Sequence, residues 1–75
     1  MALSSEKTAL HRFGANVARI RTSKSLTQEQ LAEKTDLDRM TIAFVENGRR
    51  WPRLSTIQAI ANALNVNIRD LFANL

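Results

Sequence analysis

The sequence predicts an all-α fold of five short helices around one core, and three observations carry that prediction. Only two Gly and one Pro interrupt 75 residues, ten of which are Ala, the strongest helix former. No run alternates apolar with polar residues over the length of a strand, whereas apolar residues recur at three- and four-residue steps. Side chains that start helices stand directly ahead of most of these apolar stripes.

The first helix is expected over residues 5–23, where Leu10, Phe13, Val17 and Ile20 form one stripe. Thr27 and Gln30 make a capping box that opens the second, residues 28–34. The Thr27 hydroxyl accepts from the Gln30 amide, the Gln30 side chain reaches back, and Leu26 and Leu31 close a hydrophobic staple. Asp38 caps the third helix, residues 38–46, between the staple residues Leu37 and Ile42. Asn47-Gly48 supplies its left-handed stop, and Trp51-Pro52 bars continuation. A second capping box, Ser55-Thr56-Ile57-Gln58, opens the fourth helix, residues 55–64, whose core face is Ile57, Ile60, Ala61 and Leu64. Asn67 caps the fifth, residues 68–74, stapled by Val66 and Leu71.

At 8.5 kDa, with 44% apolar and 24% charged residues, the chain has the makings of one ordinary globular domain. It has no Cys and a single His, so neither a disulfide nor a Cys/His zinc site staples it and the apolar core must suffice. Cysteine avoidance, the lack of a signal-like apolar run near Met1 and the lack of a membrane-length apolar stretch together predict a cytoplasmic protein. His11 falls off the stripe of the first helix, no glycine-rich phosphate loop occurs, and the carboxylates read as caps, surface groups or pairs. An enzyme is therefore not expected, nor a cofactor or metal.

The net charge of +4 and pI near 10.8 point toward a polyanionic partner. Lys7, Arg12, Arg19, Arg21 and Lys24 follow one another without an intervening acid, and Arg49, Arg50 and Arg53 fall within five residues. Acids stand instead near helix starts, at Glu29, Asp38 and Asp70, where they meet the positive end of the helix dipole. Lys7, Arg12, Arg19 and Lys24 read as a solvated helix face, whereas the arginines after Asn47-Gly48 read as phosphate ligands.

Only Thr35-Asp36-Leu37 separates the second helix from the third, a spacing that makes two short helices cross steeply as a helix-turn-helix. Leu31 and Ala32 then face Leu37, Ile42 and Val45, which leaves Arg39, Met40, Ala43, Phe44 and Asn47 outward. Phe44 is expected to be exposed because Ile42 and Val45 already fill the inward face. Trp51 reads equally as cover for the core edge or as a contact to a nucleic-acid backbone.

In their order and spacing, Ile20-Arg21, Leu26 to Lys34, Ile42, Glu46 to Arg50, Pro52 and Ile60 to Leu64 resemble the helix-turn-helix domain of phage repressors and Cro. That family extends across bacteria as the XRE-type regulators, and the likeness runs from about Phe13 to Phe72. It implies a single five-helix, lambda-repressor-like DNA-binding domain over residues 1–75, with the third helix in the major groove of double-stranded DNA. Arg39 would read guanine with its two-pronged guanidinium, Thr41 would contact a base or phosphate, and Met40 and Phe44 would press on thymine methyls beside Ala43. Gln28 would hold a phosphate at the start of the second helix, and Asn47, Arg49, Arg50 and Arg53 would hold phosphates around the loop. Arg21 would pair with Glu46 as a structural tie.

Two departures from the family pattern stand out. Asp36 occupies a turn position usually held by Gly and must go left-handed, and Ala43-Phe44 replaces a polar pair on the recognition helix.

One such domain covers about 600–1,000 Å² of DNA, too little for tight specific binding, so a homodimer on an inverted repeat is expected. Ile68, Phe72 and Leu75 are its candidate contacts, and repression by occluding polymerase is the expected output. The alternative is a protein-interaction module, such as an antitoxin or a polymerase- or repressor-binding cofactor, whose Met40, Phe44 and Trp51 surface meets another protein.

Overall fold

Four α-helices and a closing 3-10 turn make up the described residues, 2–75 in a computed structural model, with side chains described from Glu6 onward. The helices are α1 (Ala2–Ser23), α2 (Gln28–Thr35), α3 (Arg39–Glu46) and α4 (Leu54–Leu64), followed by the 3-10 turn Ile68–Phe72. No strand occurs among the described residues, as the sequence predicts. α1 starts three residues ahead of the expected boundary, because Ala2 and Leu3 favour helix and nothing before Ser5 stops it.

Local chemistry opens and closes α2 and α3 as expected. The Gln30 backbone amide donates to the Thr27 hydroxyl at 3.0 Å, and the side-chain oxygen Oε1 of Gln30 accepts from the Thr27 backbone amide at 2.8 Å. Asp36 ends α2 in the left-handed region, at φ 60° and ψ 28°, so the aspartate takes the conformation that a glycine adopts more cheaply. Gly48, at φ +63°, turns the chain out of α3.

Two expected elements differ. The Ser55–Gln58 capping box does not form: α4 begins at Leu54, with Arg53 as an N-cap that makes no side-chain cap bond. Arg53 lies extended behind Pro52, and the Ile57 amide donates to its carbonyl at 3.1 Å, which closes the first turn with Ser55 already inside it. Gln58 points forward and donates to Asn62 at 3.0 Å.

The fifth element is a 3-10 turn of five residues and not a helix over 68–74. Asn67 still caps it, with the Asp70 carboxylate accepting from the Asn67 amide. Beyond it Ala73 is extended, and the Asn16 side-chain amide donates to the carbonyls of Leu71 at 3.0 Å and Ala73 at 2.9 Å. A continued α-helix would point those carbonyls along its own axis and away from Asn16.

Phe13 and Val17 of α1, Leu31 of α2, Ile42 and Val45 of α3, Ile57, Ile60 and Leu64 of α4, and Leu71 form the buried core. Trp51 and Phe72 cover its edge, with ring centroids 5.3 and 5.0 Å from Phe13, so Trp51 takes the core-edge place of its two readings. α1 crosses the end of α3 at Gly14, where an added Cβ would stand 2.6 Å from the carbonyl oxygens of both Val45 and Glu46. That approach sets how far the outer face of α3 projects.

Candidate nucleic-acid interface

α3 is eight residues long, and burial of Ile42 and Val45 dictates what its other face presents. Arg39, Met40, Phe44 and Asn47 are exposed, with Met40 at 62% and Phe44 at 53%, while Thr41 and Ala43 are half-buried. Two large apolar side chains thus stand in solvent beside an arginine, over a core already filled.

The N-terminal end of this face is held by named bonds. Asp38 Oδ1 accepts from the Thr41 amide at 2.8 Å and from its hydroxyl at 3.0 Å. The Thr41 amide, then its hydroxyl, hold the Asp38 carboxyl below the usual carboxylate range, since both favour the charged form. The hydroxyl proton of Thr41 is therefore engaged, and what Thr41 offers outward is a lone pair.

The Arg21–Glu46 pair forms, in two-pronged geometry. Arg21 Nε donates to Glu46 Oε2 at 2.6 Å, Nη2 donates to Oε1 at 3.1 Å, and Nη1 donates to the Leu26 carbonyl at 2.7 Å. The side chains are only 13% and 5% exposed. Gln28 Nε2 donates to Glu46 Oε1 at 3.0 Å, and Arg39 Nη1 donates to Gln28 Oε1 at 3.2 Å. Gln28 is half-buried and bonded at both ends of its amide, an arrangement that sequence reasoning does not anticipate. Its signal was the coincidence of a Gln at the first turn of one helix with an Arg at the first turn of the next.

The opposite end of the face is basic. Arg49, Arg50 and Arg53 are exposed around an open groove of about 860 Å³ that Thr41, Phe44, Trp51 and Pro52 also line. The Arg49 guanidinium lies 6.0 Å from the Phe44 ring centroid, within reach of a cation–π attraction. Lys7, Arg12 and Arg19 of α1 and Lys24 just beyond it are all exposed, and Arg12 donates to the Asn74 carbonyl while Arg19 donates to Asn16 Oδ1.

At the far end of the molecule Ile68 and Phe72 are half-buried against the core and Leu75 is 43% exposed. Asn16 and Gly14 carry structural roles that sequence reasoning missed. Asn16 stands one turn after Phe13 on a buried face, where a polar side chain implies a partner, and Gly14 is an isolated glycine within a helix. Among the described residues no buried side-chain nitrogen or oxygen lacks a hydrogen-bond partner.

A helix-turn-helix family model matches residues 17–71, most of the chain. The chain is 44% identical to the immunity repressor protein of Bacillus phage phi105 over 55 residues, which cover 73% of this chain and 38% of the phage protein. It is 45% identical over 60 residues to the control protein C.BamHI of Bacillus amyloliquefaciens, covering 79% of this chain and 74% of that one. Among solved structures, the restriction-modification controller protein C.AhdI from Aeromonas hydrophila superposes with a TM-score of 0.81 at 41% identity, over 84% of this chain and 96% of the controller. The chain thus spans well under half of the phage repressor and nearly all of C.AhdI.

Proposed function

The chain belongs to the helix-turn-helix family, and from that membership we propose that it is a sequence-specific DNA-binding transcription regulator, a repressor that holds an inverted-repeat operator as a homodimer. The observation that carries the proposal is the outer face of α3, where an arginine and two exposed apolar side chains stand over a complete core and beside three exposed arginines.

α3 enters the major groove. Arg39 donates to a guanine, Met40 and Phe44 rest on thymine methyls beside Ala43, and Thr41 accepts from a base or sugar. Asn47, Arg49, Arg50 and Arg53 follow the phosphates, and the second amide hydrogen of Gln28 remains free for one more. Ile68, Phe72 and Leu75 meet their copies across a twofold axis, which sets the half-sites about one DNA turn, roughly 34 Å, apart. The regulator works in the cytoplasm, where occupancy of the operator excludes polymerase. The names of the repressor and control proteins to which the chain is similar support this output.

Binding to duplex DNA as a function of salt tests the proposal. Contacts to phosphates make log affinity fall against log salt with a slope of about −0.9 for each phosphate neutralised. The exposed Met40 and Phe44 favour a second reading, in which this face docks another protein. DNA affinity absent at low salt, together with salt-insensitive capture of a protein partner, would support that reading.

A further inference from the structure

Thr41 and Phe44 stand three residues apart on α3 and line one groove, with the Arg49 guanidinium over the Phe44 ring. We propose that this pair reads 5-methylcytosine, so that the preferred operator carries a C5-methylated cytosine in each half-site. The inference rests on the reading of α3 as the base-contacting helix, and it changes the base under Phe44 alone, from thymine to methylated cytosine.

The Thr41 hydroxyl donates its only proton to Asp38 Oδ1 at 3.0 Å, and the same oxygen accepts from the Thr41 amide at 2.8 Å. Those bonds favour the charged carboxylate, which only accepts, so Asp38 has no proton to return and Thr41 offers a base nothing but lone pairs. Phe44 is exposed and presents a ring without a polar atom. The outer face thus sets a fixed acceptor beside an apolar surface. Around them Arg39 only donates, and Met40 and Ala43 are apolar.

On the major-groove edge of a pyrimidine the groups at C4 and C5 are neighbours. Thymine carries an acceptor, O4, beside its methyl, so seating that methyl on Phe44 brings two lone-pair oxygens together at Thr41. Cytosine carries a donor, the N4 amine, beside a bare C–H; it satisfies Thr41 and leaves Phe44 without a methyl. Uracil fails on both counts. 5-Methylcytosine joins the donor to the methyl and answers both side chains.

The probes are synthetic duplexes of the site that the parent protein selects, with cytosine, 5-methylcytosine, uracil or thymine placed in turn at each half-site position opposite its matching purine. A parent that selects no site overturns the base-reading premise before any pyrimidines are compared. In a selected site, one position is expected at which methylation of cytosine tightens binding about three- to fivefold. At that position 5-methylcytosine should exceed thymine about five- to twentyfold.

Phe44→Ala should abolish the gain from the methyl. Thr41→Val keeps the side-chain shape and should shrink the penalty on thymine while leaving the gain from the methyl, and Thr41→Ser should restore that penalty. The purine partner differs between the two pyrimidines, and comparison of Thr41→Val with the parent cancels that difference. Thr41→Ala provides the same comparison should the valine variant fold poorly. No position that gains from cytosine methylation, a gain that survives Phe44→Ala, thymine equal to 5-methylcytosine, or a thymine penalty unchanged without the hydroxyl would each overturn the proposal and leave α3 as the base-reading helix.

Discussion

The two ends of the α3 surface are built on different principles. At the N-terminal end, Asp38 ties down Thr41, and Arg39 is bonded to Gln28 and through it to a buried ion pair. Beyond the C-terminal end, Arg49, Arg50 and Arg53 are exposed on a loop and a helix start, with the Arg49 guanidinium over the Phe44 ring. The contrast matches what the proposed function asks of each end. A base edge is a fixed array of donors and acceptors and selects for a side chain already in place, whereas a phosphate strand offers uniform charge that a mobile arginine can follow. Under the proposal, order stands at the base-reading end and bare charge at the end that follows phosphates.

The largest expected effect comes from removing the root of the ordered end. Glu46→Ala leaves the Arg21 guanidinium, 13% exposed, without its carboxylate, and is expected to cost about 3–5 kcal/mol in urea unfolding. Next comes the approach that sets α3 against α1. Gly14→Ala places a methyl carbon on two backbone carbonyls that cannot rotate away, and is expected to lower stability by about 1–3 kcal/mol, read from a thermal melt.

Arg39→Ala should leave stability within about 0.5 kcal/mol and remove about 1–3 kcal/mol of preference at one base pair of each half-site. Arg50→Ala should weaken all duplex sequences alike and make the salt slope shallower by about 0.9. A change of preferred sequence in Arg50→Ala would erase the contrast between the two ends.

The smallest effect is acid sensitivity at the cap. The folded-state pKa of Asp38 is depressed relative to the unfolded chain, so its contribution is fully present above the unfolded value and is lost as pH falls through the folded one. The melting-temperature gap between the parent and Asp38→Asn should therefore narrow below about pH 4. A gap constant from pH 7 to pH 2 would contradict it.

Elements governed by neighbours in sequence were legible without a structure. The Thr27–Gln30 box, the Asp38 cap and the left-handed Asp36 and Gly48 depend on residues within one turn of each other. Where two local signals competed, the reading failed: Ser55 and Gln58 have the chemistry of a cap, but Pro52 and Arg53 ahead of them start the helix sooner. The last turn failed for another reason, since it answers to Asn16 more than fifty residues away. The candidate site divides in the same way. Exposure of Met40 and Phe44 followed from helical period alone, whereas the bond between Gln28 and Arg39 depends on the crossing of α2 and α3.

The most direct test of the central claim is selection from a randomised duplex pool at about 150 mM salt, run side by side with the parent protein and Arg39→Ala. The account predicts that the parent enriches an inverted repeat and that the variant enriches the same repeat with one base pair per half-site left undetermined. No enrichment by the parent, or an identical repeat from both proteins, would contradict it.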